Sequence, residues 1–138
     1  MPDRSNIGKR FEASGQVVDP DRARQVAAAI DGSGKPLEPS GVPPTFAAVY
    51  CLWPTLAQVF TDPEVNLNLA GLIHGEQRFE WPERVQPGDV VDSSAEIVNV
   101  EDKRGMTFVT IAVEAKRAGD GAVVCRGRSL MIVRGGAS

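Results

Sequence analysis

The chain has 138 residues, of which 42% are hydrophobic and 24% charged, and its formal net charge at pH 7 is −3. These values are typical of a single globular domain, so we expect residues 1–138 to form one domain around one core. The slightly acidic balance and the scattered basic residues argue against a nucleic-acid partner and against binding to an anionic membrane. The N-terminal segment 1–14 is charged and has no apolar run after it. We therefore predict neither a secretory signal nor a membrane anchor, and we expect a cytoplasmic protein.

The first predicted elements are a short strand within residues 9–19 and an amphipathic helix after it. Asp19 is a suitable N-cap, Pro20 suits the first helical position, and Gly32 follows the helix end. The apolar residues of this helix recur at helical spacing: Ala23, Val26, Ala27 and Ile30. Residues 33–44 are rich in proline, glycine and serine, which indicates a loop.

A second, buried helix is predicted over residues 45–60. No charged side chain occurs between Pro39 and Thr61. Its large apolar residues recur every three or four positions: Phe46, Val49, Trp53, Leu56 and Phe60. The uninterrupted apolar run stops at Pro54, well short of the roughly 20 residues that cross a bilayer, so a membrane span is excluded. Pro54 should kink this helix or divide it.

After residue 72 the sequence alternates between strand patterns and turn signals. Turns are expected at "QPGD" (86–89) and "AGDG" (118–121), which separate long strands that follow one another as an antiparallel meander. One hydrophobic helix and one antiparallel sheet must bury their apolar sides against each other. The predicted fold class is therefore α+β, a hot-dog fold in which the sheet wraps around a central helix.

Four blocks of sequence resemble a known family, the MaoC-like hydratases and dehydratases, and specifically their N-terminal, non-catalytic half. The blocks are "GVPPTFAAV" (41–49), "LIHGEQRFEW" (72–81), "VQPGDVV" (85–91) and "GAVVCRGRSLMIVRG" (121–135). The resemblance implies a protein of fatty acid or polyketide metabolism that handles 3-hydroxyacyl or 2-enoyl thioesters of coenzyme A or acyl carrier protein. It also implies that the acyl chain lies along the central helix, with Phe46, Val49, Tyr50, Trp53 and Leu56 as candidate lining residues. For each of these five, a purely structural place in the core is the alternative.

The catalytic members of that family carry an aspartate and, five residues later, a histidine in the loop before the central helix. In this chain Asp31 is followed five residues later by Pro36, and the loop contains no histidine. Other hot-dog enzymes place a carboxylate on the central helix, but residues 45–61 contain none. Hydration of an enoyl thioester needs a group that takes a proton and a group that delivers one. We therefore expect the chain to depend on a partner for catalysis.

His74 is the only histidine, and it stands in "HGEQ" with Glu76 and Gln77 close behind it. In an unbroken strand His74 and Glu76 share one face with Arg78, while Gln77 lies on the opposite, aromatic face. Gly75 suits a bulge that would turn His74 inward. A structural or interface role for His74 is favoured, and a catalytic role for His74 and Glu76 is the alternative. Gln77 is a candidate substrate contact.

Further candidate ligand contacts are Arg126 and Arg128 on the last strand, because guanidinium groups suit the phosphates of coenzyme A or an acidic carrier. A solvated sheet face is the alternative.

The two cysteines, Cys51 and Cys125, stand in apolar surroundings, which indicates buried reduced thiols rather than a disulfide. Two cysteines and one histidine do not supply a zinc site, so we predict no metal, and we predict no cofactor.

The leading hypothesis is a subunit of a (3R)-hydroxyacyl-thioester dehydratase or enoyl-thioester hydratase that binds the acyl chain and needs a catalytic MaoC-like partner. The alternatives are a self-sufficient homodimer that uses His74 and Glu76, and a non-catalytic acyl-thioester binding protein. A thioesterase shares the fold, but the central helix lacks the carboxylate that this activity would need. An unpaired hot dog leaves a sheet edge open, so a homodimer or heterodimer is expected.

Overall fold

Five antiparallel strands and two α-helices carry most of the chain in the computed structural model, which describes residues 1–32 and 41–134. The strands are β1 (Arg10–Val17), β2 (Leu72–Glu80), β3 (Val90–Lys103), β4 (Met106–Arg117) and β5 (Val123–Arg134), and the helices are α1 (Pro20–Asp31) and α2 (Trp53–Thr61). The Asp19 side chain accepts from the N–H groups of Asp21 and Arg22, and Gly32 ends α1 with a φ of 72°. Both predicted caps of α1 are confirmed. Most of the predicted loop, residues 33–40, lies outside the described residues.

The sheet order is β1-β3-β4-β5-β2, with every neighbouring pair antiparallel. The predicted meander is therefore right for β3, β4 and β5 and wrong for β2, which pairs with β5 instead of β3. β1 occupies the other side of β3, so β2 cannot pair with β3 and lies at the far side of β5. Alternation of apolar residues predicts strands, but it does not identify their neighbours.

The concave face of the sheet holds the core. Along β3 and β4 buried and less buried residues alternate almost without interruption. Ile97 pairs with Ile111, and Ala95 with Val113, so each buried residue faces another across the ladder. The central helical segment, residues 44–61, packs across this face and contributes Phe46, Tyr50, Leu56 and Val59 to the same core cluster. The fold is the predicted hot dog.

The central helical segment is divided as Pro54 predicts. A 3₁₀ turn at Pro44–Phe46 leads into a π-helical turn at Ala48–Leu52, and α2 begins at Trp53. Proline has no N–H, so the carbonyl of Tyr50 loses its normal α-helical donor. The Trp53 N–H bonds instead to the Ala48 carbonyl, in the i to i−5 pattern of a π-helix. The buried Ser93 hydroxyl on β3 donates to the Tyr50 carbonyl at 2.5 Å and so replaces the missing donor.

Cys51 and Cys125 are both free and buried, as predicted. Their side chains interact across the contact between the central helical segment and β5. The hydrogen bond with Cys125, in which the Cys51 thiol is the donor, and burial together raise the pKa of Cys51 above its ordinary value, which keeps the thiol protonated and unreactive. None of the helices in residues 1–32 and 41–134 is long and apolar enough to cross a membrane.

Candidate functional site

β2 forms an edge of the sheet and contains an irregularity at the "HGEQ" motif. His74 lies opposite Met131 and Glu76 lies opposite Leu130, so Gly75 is an extra residue with no partner on β5. This is a β-bulge. Directly opposed residues project to the same side of a sheet. His74 therefore shares the concave side with the buried Met131, as the bulge interpretation predicts.

The bulge gives His74 a different neighbour from the one an unbroken strand provides. Gln77 lies opposite the fully buried Ser129, so it projects to the concave side with His74. The distance from His74 Nε2 to Gln77 Oε1 is 3.0 Å. The same oxygen accepts from the Ser129 hydroxyl at 2.5 Å. Three polar side chains are thus joined on the face of β2 and β5 that looks toward the helix.

Glu76 lies on the other, outer side of the sheet, where it accepts from Arg78 Nε at 2.7 Å. The grouping of His74 with Glu76 and Arg78 on one face, expected for an unbroken strand, is wrong because the bulge shifts the alternation by one residue. The structure does not bring His74 and Glu76 together. Glu76 takes part in an exposed ion pair, which contributes little to stability.

At the end of β2 the concave face connects directly to the central helix. The rings of Phe79 and Trp81 lie 5.8 Å apart, and the Trp81 indole interacts with the Tyr50 hydroxyl. Burial raises the pKa of Tyr50, so the phenol stays neutral; Trp81, whose indole only donates, opposes that shift. Tyr50 therefore carries a neutral hydroxyl near the end of β2.

The five predicted lining residues of the central segment fall into two groups. Phe46, Tyr50 and Leu56 are 2 to 3% exposed and fill the core. Val49 is partly buried, and Trp53 is 56% exposed, with its ring 6.2 Å from that of Phe60. A 56% exposed tryptophan on an otherwise apolar helix leaves a large surface available to a ligand or to another chain.

Arg126 and Arg128 lie on the outer face of the sheet, in a groove of about 430 Å³ that also contains Arg10 and Arg78. Arg126 Nε is 3.4 Å from a carboxylate oxygen of Glu114. Arg128 lies directly opposite Arg78 on β2, and within the described residues no carboxylate pairs with it. Glu80, Glu96 and Glu114 also line the groove, so its charge is mixed, and it faces away from His74 and Gln77.

A known domain family matches most of this fold. The model of the MFE-2 hydratase 2 N-terminal domain matches residues 37–135, which include the central helical segment, the "HGEQ" bulge and β3 to β5. The chain belongs to this family. The MaoC-like resemblance of the sequence is thereby confirmed.

The chain is also similar to curated relatives and to solved structures. A UPF0336 protein from Thermobifida fusca is 32% identical over 69% of this chain, which spans 61% of that relative. A UPF0336 protein from Saccharopolyspora erythraea is 27% identical over 98% of this chain and 94% of its own length. Among solved structures, the HadBC (3R)-hydroxyacyl-ACP dehydratase complex from Mycobacterium tuberculosis has a TM-score of 0.72 at 18% identity, covering 92% of this chain and 96% of that one. This structural likeness supports the hot-dog fold.

Two residues of this hydratase 2 domain escaped prediction, Ser93 and Ser129. Both are buried polar residues on apolar strands, where a hydroxyl needs a partner. That pattern was a usable signal of their importance. Their partners, Tyr50 and Gln77, could not be predicted, because strand pairing and the bulge determine them.

In the described part of the chain, no group of three or more histidine, cysteine, aspartate or glutamate side chains is arranged to hold a metal ion.

Proposed function

We propose that this hydratase 2 domain is the acyl-binding half of a cytoplasmic (3R)-hydroxyacyl-thioester dehydratase or enoyl-thioester hydratase. A partner subunit supplies the acid and the base. The chain itself holds the acyl part of a coenzyme A or carrier-protein thioester. Family membership supports the substrate class, and the fold shared with the HadBC dehydratase complex supports assembly with a second hot-dog subunit.

One observation supports a separate catalytic subunit. His74 and Glu76, the acid and base candidates that stand together in the sequence, lie on opposite faces of the sheet. The loop that holds the catalytic pair in related enzymes has no histidine here. Proton removal and delivery need two groups within hydrogen-bond reach of one substrate. Another chain is therefore the source of that pair.

The acyl chain is proposed to lie along the central segment at Val49 and Trp53, where the helix surface is not covered by its own sheet. Phe46, Tyr50 and Leu56 form the floor beneath it. His74, which is hydrogen-bonded to Gln77, contacts the polar end of the substrate. The partner subunit is proposed to cover the exposed side of Trp53 and to pair with the open edge of β2.

The carrier is proposed to contact Arg128, which lacks a carboxylate partner among the described residues, more strongly than Arg126, which Glu114 neutralises in part. Both lie on the outer face of the sheet. Contact with phosphates or acidic side chains of the carrier therefore takes place around the β2 edge, and it falls with added salt.

Spectrophotometry of a short enoyl-CoA with the purified chain, alone and mixed with a catalytic MaoC-like subunit from the same genome, tests the proposal. We expect no loss of enoyl absorbance with the chain alone, binding of butyryl-CoA by calorimetry, and turnover when the partner is added. Trp53→Ala should weaken butyryl-CoA binding. Val17→Ala, which alters an equally exposed apolar residue on β1, is the matched control.

Turnover by the chain alone that His74→Ala abolishes would replace this proposal with the self-sufficient homodimer. Binding of butyryl-CoA without turnover in any mixture would favour the non-catalytic binding protein. Failure of the folded chain to bind butyryl-CoA would overturn all acyl-thioester functions for it.

A further inference from the structure

The hydrogen bonds around Gln77 fix which end of its amide faces which neighbour. Gln77 Nε2 donates to the Arg78 carbonyl at 3.0 Å. A flipped amide would place its oxygen against that carbonyl oxygen, which is repulsive. Gln77 Oε1 therefore faces both Ser129 and His74, and it acts only as an acceptor toward them.

This orientation determines the protonation pattern of the imidazole. Because Gln77 Oε1 cannot donate, His74 Nε2 must carry the hydrogen in their 3.0 Å contact. In the neutral ring Nδ1 then has a free lone pair. Within the described residues, no group hydrogen-bonds to Nδ1.

The Ser129 hydroxyl anchors this arrangement from inside the sheet. Ser129 is fully buried on β5 and donates to Gln77 Oε1 at 2.5 Å, whereas His74 is exposed at the edge. The hydrogen bond from the buried Ser129 hydroxyl holds the Gln77 side chain in one position. Ser129 and Gln77 are thus placed to orient His74, and neither of them needs to contact the ligand that His74 binds.

We infer that His74 Nδ1 is a fixed hydrogen-bond acceptor for the hydroxyl group of a 3-hydroxyacyl thioester, and that Gln77 and Ser129 are positioning residues for it. This inference rests on the proposed function and adds a basis for substrate preference to it. A hydroxylated acyl chain gains one hydrogen bond at His74 that a saturated chain lacks. A Gln77→Leu variant loses that preference, because its imidazole is no longer held in one tautomer and orientation.

The first test needs no ligand. His74 is the only histidine, so after removal of any histidine tag the two imidazole ¹⁵N signals are unique. At alkaline pH we expect the shifts of a single tautomer protonated at Nε2. Gln77→Leu should move both shifts toward those of a short histidine peptide, and Ser129→Ala should move them part of the way. Gln16→Leu, at a comparably half-buried glutamine on β1, is the control and should leave them unchanged.

The second test compares (3R)-3-hydroxybutyryl-CoA with butyryl-CoA by calorimetry. The native chain should prefer the hydroxylated ligand about tenfold, the value of one hydrogen bond. Gln77→Leu should abolish this preference, so that the two affinities become equal. Equal affinities in the native chain, or peptide-like ¹⁵N shifts, overturn the inference and leave the proposed function standing. Absence of butyryl-CoA binding overturns the proposed function itself.

Discussion

The inner strands β3 and β4 differ from the edge strand β2 in how regularly buried and exposed residues alternate. In β4 buried residues alternate with less buried ones along nearly the whole strand, and each is opposed by a buried residue of β3 or β5. In β2 no residue is fully buried, and the alternation is interrupted at Gly75. The regular strands build the core. The irregular strand carries the polar side chains that can meet a ligand, because its side chains are not all needed for packing.

The largest effect is expected where β2 and β5 touch most closely. A Cβ on Gly127 would lie 2.3 Å from the Arg78 carbonyl oxygen and 2.9 Å from the Phe79 ring. Neither backbone nor ring can move away without separating the strands. Gly127→Ala should therefore reduce the free energy of unfolding by about 3 kcal/mol, measured by urea denaturation.

The matched control is Gly119→Ala in the β4–β5 turn, where a Cβ would meet nothing within 4 Å. It should change the free energy of unfolding by less than about 0.5 kcal/mol. Equal stability of the two variants would show that β2 does not lie against β5 as described.

A smaller loss is expected in the regular part of the sheet at Ser93. Its hydroxyl is the side-chain donor to the buried Tyr50 carbonyl, which Pro54 deprives of an α-helical donor. Ser93→Ala should reduce the free energy of unfolding by about 2 kcal/mol, because a buried acceptor is left without its hydroxyl partner. Ser94→Ala, one residue along on the outer face, should have almost no effect in the same denaturation experiment.

Gly75→Ala tests the bulge in the irregular strand β2. Its Cβ would lie 2.8 Å from Ile132 Cδ1, the end of a flexible side chain that can rotate away. We expect a loss of about 1 kcal/mol or less in thermal unfolding, and an unchanged tautomer at His74. A loss as large as that of Gly127→Ala would mean that the bulge tolerates only glycine.

The smallest effect concerns an exposed ion cluster just before β1. Lys9 contacts Asp62 at 2.9 Å and also contacts Glu64. Hydrogen bonding from Lys9 is the main cause that lowers the pKa of Asp62 below 3.8. A lowered pKa in the folded state stabilises the fold above the unfolded value, and this contribution disappears as the pH falls through the folded value. Asp62→Asn should therefore lower the melting temperature slightly at neutral pH and not at strongly acid pH.

Exposure of the Lys9 cluster limits its effect, since solvent screens the ion pairs. Glu83→Gln is the control, because Glu83 is exposed and no described residue pairs with it. A pH-independent difference between Asp62→Asn and the native chain would indicate that lost turn hydrogen bonds, not charge, explain the change.

The same contrast explains how far the sequence predicts the structure. The helix caps at Asp19 and Gly32, the division of the central helix at Pro54 and the alternation in β4 are local patterns, and each is confirmed. The place of β2 beside β5 is not local, because it depends on pairing between strands that are distant in the sequence. The candidate site inherits this limit. "HGEQ" was recognisable as a motif, but its side chains could be assigned to faces only once the bulge had fixed the register.

The hydrogen bond from Ser93 to Tyr50 has a consequence for the order of folding. The central segment ends at Thr61, whereas Ser93 belongs to a strand synthesised later. Until β3 has left the ribosome, the Tyr50 carbonyl has no Ser93 hydroxyl to bond with and must be hydrated by water. The π-helical turn therefore cannot be buried before β3 has been synthesised. The helix at the centre of this protein is thus finished by the sheet that surrounds it, and truncated chains that end before residue 93 should show little stable helix by circular dichroism.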